Sequence, residues 1–154
     1  MRVKGYGFAV LAALLPLGVA ACGSDPGAAR ATVAGTSQSL MKTAWVLVSY
    51  GPADQPKNVV AGSEVTALFD EQPGRVTGSA GCNSYGGTYA VDGEKLTVSS
   101  LVATKKFCAE PEGVMAQEQE YLTTLEAAER FRVEGKALEI RAKDGRVLRF
   151  RERG

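Results

Sequence analysis

Between Arg130 and Arg151 the chain alternates apolar and charged residues almost without a break. Phe131, Val133, Leu138, Ile140, Leu148 and Phe150 fall on one parity, and Arg130, Arg132, Glu139, Arg141, Arg149 and Arg151 on the other. Successive side chains of a strand point to opposite faces, so this period of two allows one buried and one wet face and forbids a helix. Gly135-Lys136 and Asp144-Gly145 separate the runs and supply residues that tolerate the backbone of tight hairpins. The pattern predicts a C-terminal antiparallel meander. Its arginine row reads either as a solvated face or as a site for anionic lipid or polymer. Glu129, Glu134, Glu139 and Glu152 are interleaved with it, which favours a solvated face with cross-strand ion pairs.

Upstream, short strand-like runs recur with turn residues between them. They span residues 44–50, 64–69, 75–80, 87–91 and 95–98, followed by the meander runs 130–134, 137–142 and 146–151, with Asp92-Gly93 marking another tight turn. One helix is predicted over 111–128. Pro111 suits its first turn, Glu110 and Glu112 suit its positive end, and Val114, Met115, Tyr121, Leu122, Leu125 and Ala128 recur at helical spacing. The fold class expected is therefore β-rich α+β, a curled antiparallel sheet or partial barrel with one packed α-helix. Glu118 falls inside the apolar stripe, where a charge is costly without a partner. It reads as a carboxylate capping a loop or pairing with Lys or Arg, with a functional acid as the alternative.

The chain has 154 residues, which fits one domain, and no histidine at all. That removes the commonest general base and metal ligand, and with it Ser-His-Asp and Cys-His catalysis. No catalytic residue, metal site or cofactor is assigned. Cys82 and Cys108 without histidine make a poor zinc set, and Gly78-Ser79-Ala80-Gly81 lacks the lysine of a phosphate loop. Once Arg2 and Lys4 leave with a leader, 16 basic residues face 17 acidic ones, so nucleic acid is not an expected partner.

Residues 1–21 have the anatomy of an export signal: a basic start, an apolar stretch from Phe8 to Ala21, then small residues. The run is short for a bilayer span, which needs about 20 apolar residues. Val19-Ala20-Ala21-Cys22 resembles the bacterial lipobox, which implies lipid attachment at Cys22 and anchoring to a membrane. Residues 22–39, rich in Gly, Ser, Ala and Thr, read as a lipidated flexible tether, and residues 40–154 as the folded domain. Position 23 is Gly rather than Asp, so in a host with two membranes the expected place is the periplasmic side of the outer membrane.

Four segments in order carry a family resemblance: Ala44-Trp45-Val46-Leu47, then Gly81-Cys82-Asn83-Ser84-Tyr85-Gly86-Gly87-Thr88-Tyr89, then Thr104-Lys105-Lys106-Phe107-Cys108, then Glu118-Gln119 with Tyr121, Leu122 and Leu125. This order and spacing resembles the META domain, or HslJ-like, family. The resemblance implies a curled sheet with one helix, frequent export and lipid anchoring, and a link to envelope stress. It supplies no agreed catalytic residues. Its cysteine pair matches Cys82 and Cys108, which together with export and the use of Cys22 for lipid implies a disulfide, two buried thiols being the alternative. In the motif, asparagine tolerates a left-handed turn, glycines let strands bend and tyrosines cover the sheet. The function expected is a monomeric, non-enzymatic envelope lipoprotein that binds an envelope protein partner or acts as a scaffold under stress. The alternative is a carrier or sensor that binds a small hydrophobic ligand in the curled sheet.

Overall fold

A computed structural model describes residues 37–71 and 74–154. The expected leader, Cys22 and most of the expected tether lie outside the described residues. A one-turn helix α1 (Ser37–Leu40) overlaps the end of that tether, and its Leu40 is fully buried. Nine strands follow: β1 (Ala44–Pro52), β2 (Lys57–Asn58), β3 (Thr66–Asp70), β4 (Arg75–Ser79), β5 (Ser84–Asp92), β6 (Lys95–Ala103), β7 (Ala128–Glu134), β8 (Ala137–Ala142) and β9 (Arg146–Glu152). Helix α2 (Val114–Glu126) lies between β6 and β7.

Neighbouring strands pair antiparallel in the order β1-β3-β4-β5-β6-β7-β8-β9, and β9 returns to pair with β1 along most of its length. The curled sheet is thus a closed eight-stranded barrel, with the two-residue β2 hung on β1. Eight strands leave an interior just wide enough for side chains to fill. Trp45, Phe69, Leu96, Tyr121, Ile140 and Leu148 fill it, each below 2% exposed. Burying each such side chain stabilises the fold by about 1.5–3 kcal/mol. These side chains take up the space that a ligand-carrying barrel keeps open. The seam between β6 and β7 has a single ladder pair, Lys95 with Arg130, because the chain leaves the sheet there to form α2.

The meander follows its alternation. Phe131 sits opposite Ile140 and Leu138 opposite Phe150 on the core face, while Arg132 meets Glu139 and Glu139 meets Arg149 on the wet one. Glu139 accepts hydrogen bonds from Arg149 at 2.9 Å and Arg141 at 3.0 Å. Burial raises its carboxyl pKa, but these arginines outweigh that and hold it below the ordinary value.

The largest departures from the expected element bounds are in β5, β6 and α2. Strands β5 and β6 run well past 87–91 and 95–98, because Gly86 and Gly87 of β5 do not break the sheet and β6 continues opposite them. A register shift between Gly86 and Thr88 faces Ser100, whose φ is +55°. A Cβ on Gly87 would lie 2.9 Å from the Ser99 carbonyl oxygen, so the bulge admits only glycine. Helix α2 starts at Val114 rather than Pro111 and ends at Glu126, so Ala128, expected in its stripe, opens β7 instead. Pro111 instead opens a turn in which its carbonyl accepts from the Val114 N–H at 3.1 Å, with Gly113 at positive φ as N-cap. Its buried face also includes the polar Gln117, Glu118 and Thr124, since the helix docks on loops as well as on the core.

Strand β4 has two distinct ends. At its Arg75 end lie the β3–β4 turn and the point where the chain enters the domain, Lys42 N–H donating to the Phe69 carbonyl at 3.1 Å. At its Ser79 end lie the link to β5 and the start of α2.

Candidate functional site

The motif residues converge at the Ser79 end. Asn83 is 2% exposed and every polar atom of its side chain is used. Its Nδ2 donates to Glu118 Oε1 at 2.7 Å and to the Lys106 carbonyl at 3.1 Å. Its Oδ1 accepts from Thr104 Oγ1 at 2.6 Å and from the Lys106 N–H at 2.8 Å. Its own N–H donates to Glu118 Oε2 at 2.7 Å. A planar amide offers two donors and two acceptor sites, so one asparagine joins the β4–β5 link, the β6–α2 loop and the helix. Asn83 is not in the left-handed conformation that its residue type suggested, since among the described residues only Lys42 and Ser100 have positive φ apart from glycines. Its side chain is the reason for its place.

Glu118 resolves in the same way. Both carboxylate oxygens hold Asn83, so the buried charge is met by hydrogen-bond donors of a loop rather than by Lys or Arg. The carboxylate that stood as a candidate acid is an acceptor for the frame. Gln117 works beside it, a polar residue that an apolar stripe does not single out. Its Oε1 accepts from the Val60 N–H at 2.6 Å and its Nε2 donates to Ser63 Oγ at 2.9 Å.

Next to Asn83, Cys82 is joined to Cys108 by a disulfide with the Cα atoms 5.9 Å apart. Phe107 therefore stands between two clamps, the backbone of Lys106 held by Asn83 and Cys108 held by Cys82. Its side chain is nonetheless 82% exposed. Lys105 and Lys106 beside it are exposed, and neither has an ion-pair partner among the described residues.

The motif tyrosines serve the interior rather than covering the sheet. Tyr85 and Tyr121 share a 2.6 Å hydrogen bond between their hydroxyls, and Tyr85 also donates to the Thr66 carbonyl at 3.0 Å. Burial pushes both phenols far above the ordinary value of 10; the bond from Tyr121 eases Tyr85 slightly, while the nearness of Tyr85 raises Tyr121 further. Tyr89 lies edge-on to Phe69 and donates to the Asp70 carbonyl at 2.9 Å.

Two open depressions lie on the outer sheet, one of about 260 Å³ over Arg132, Glu139 and Arg149, the other of about 340 Å³ over Gly86, Gly87 and Val102. The second is lined in part by Gly86, Gly87 and Thr88 of the motif, but neither takes in Cys82, Asn83, Phe107, Cys108 or Glu118. Among the described residues no three His, Cys, Asp or Glu side chains gather as a metal-binding group, and no helix is long and apolar enough to cross a membrane.

Comparison with known proteins places this geometry. A solution structure of a protein from Burkholderia xenovorans is similar at 28% identity with a TM-score of 0.64, over 75% of this chain and 85% of that one. A second solution structure shares the fold at 20% identity and a TM-score of 0.58, over 76% and 94% of the two chains. A crystal structure of a DUF4847 family protein from Bacteroides vulgatus shares it at 14% identity and a TM-score of 0.55, over 74% and 94%. No curated protein matches. The META domain family matches residues 38–154, which takes in the whole barrel, the helix and the clamped loop. The chain belongs to the META domain family.

Proposed function

We propose that this is a cell-envelope lipoprotein, anchored at Cys22, whose META domain is a non-enzymatic binding module in the envelope or its stress response. The observation that carries the reading is the double clamp on Phe107. A disulfide and a buried Asn83–Glu118 pair fix a loop that holds a large apolar side chain in water. Such an arrangement suits recognition, because a rigid aromatic loses little freedom on binding. It does not suit turnover, because Glu118 is occupied as an acceptor. The domain is read as a monomer that meets the membrane only through its lipid and an envelope protein through its surface.

The test is recovery of partners from intact envelopes by the lipidated chain and by a Cys82→Ala/Cys108→Ala chain. The wild type should retain a partner that the unclamped chain loses, and neither should turn over ester, peptide or glycoside substrates. Equal recovery by both chains contradicts the loop's role, and turnover abolished by Glu118→Gln contradicts the non-enzymatic reading. The anchor is tested separately, by loss of palmitate labelling in Cys22→Ser.

A further inference from the structure

We infer that Phe107 with Lys105 and Lys106 is the contact element itself, and that its partner is an envelope protein offering an apolar pocket rimmed by carboxylates. The inference rests on the binding-module reading above and adds the chemistry of the partner.

Phe107 is fixed where flexibility would be expected. The loop from Thr104 to Cys108 has no strand or helix of its own, yet residues on both sides of Phe107 are tied to consecutive residues, Asn83 and Cys82. The fold gains no core packing from this side chain, since it is 82% exposed. Seating a phenylalanine in a pocket removes its apolar surface from water, and the clamp has already fixed its backbone. The two lysines set the rim. They have no ion-pair partner among the described residues, so carboxylates around a partner's pocket can meet them without first displacing an internal partner.

An exposed aromatic beside lysines also suits an anionic bilayer. Two observations favour a protein. Glu110 and Glu112 are exposed on the same loop, and a surface of anionic lipid would repel them, whereas a pocket with localised carboxylates can engage the lysines alone. The loop also lies at the Ser79 end of β4, while the chain enters at the Arg75 end, beside Phe69. The end at which the described chain enters and the Phe107 end are therefore opposite.

The test places a photoreactive benzoylphenylalanine at position 107 of the full lipidated chain, and in a second chain at position 136 in the β7–β8 turn, and irradiates intact envelopes. The expected result is a protein adduct from 107 whose cross-linked peptide contains apolar residues next to Asp or Glu. Lys105→Glu with Lys106→Glu should lower its yield about tenfold or more, since loss of even 1.4 kcal/mol is tenfold in affinity. Thermal unfolding of that variant should match wild type; Lys105→Gln with Lys106→Gln replaces it if charge reversal disturbs the fold. Adducts to lipid alone overturn the inference in favour of the bilayer. A protein adduct indifferent to the lysine changes overturns the carboxylate rim. Adducts from 136 but not 107 overturn the inference and leave the binding-module reading standing, and no protein adduct from either position overturns both.

Discussion

The meander β7–β9 and the clamped loop before α2 are ordered by opposite means. In the meander order is distributed: register is repeated along Phe131–Ile140, Leu138–Phe150 and Ile140–Leu148, and the wet face carries interleaved charges. In the loop, order comes from one covalent bond and one asparagine that makes four side-chain hydrogen bonds. Repetition tolerates single losses, whereas a few specific cross-links do not. The same contrast separates what stabilises this domain from what presents a surface.

The largest test of the contrast is removal of the disulfide. The cysteines are 26 residues apart, and opening a loop of that length returns roughly 3–4 kcal/mol of chain entropy to the unfolded state. Cys82→Ala/Cys108→Ala should lower the thermal midpoint clearly while the β7–β9 amides keep their native chemical shifts. Next is Glu118→Gln. An amide cannot accept from both Asn83 donors, so one buried donor loses its partner at a cost of about 1–3 kcal/mol, read from denaturant unfolding. A cost below a few tenths contradicts the frame.

Third comes alkaline stability. The Tyr85 and Tyr121 phenols are raised in the fold above the ordinary value of 10 that they regain on unfolding. Below pH 10 both states hold the protons, so the full stability is present. Above it only the unfolded state releases them, and stability falls by on the order of 1 kcal/mol per group for each pH unit until the folded value is reached. Absorbance of tyrosinate should show both groups ionising together with unfolding. The smallest effect belongs to the meander: Glu139→Gln should cost less than about 1 kcal/mol and shrink further in salt, because its arginines are partly solvated.

Sequence revealed the two regions unequally, for a physical reason. Alternation and turn residues report directly which side of a strand is wet, so 137–142 was legible to the residue as Ala137–Ala142. Closure of the barrel was not, since pairing of β1 with β9 depends on curvature accumulated over all the strands. Strand β2 has two residues and carries no period. At the site, the cysteine pair and Glu118 stood out by residue type. The work of Asn83 did not, because a polar residue beside glycine and serine reads as a turn, and only the fold brings Thr104, Lys106 and Glu118 to its side chain. Phe107 was in view within Thr104-Lys105-Lys106-Phe107-Cys108, but one aromatic without periodicity does not say whether it points inward or outward.

Rigidity of the loop rests on Asn83, and amide hydrogen exchange at Lys106 tests this most directly. The Lys106 N–H donates to Asn83 Oδ1 at 2.8 Å although it lies in an exposed residue outside any strand or helix. In the oxidised native domain it should exchange far more slowly than a free peptide amide, keep that protection in Phe107→Ala, and lose it in Asn83→Ala. Exchange of the wild-type Lys106 amide at the free-peptide rate would contradict the clamp and everything built on it.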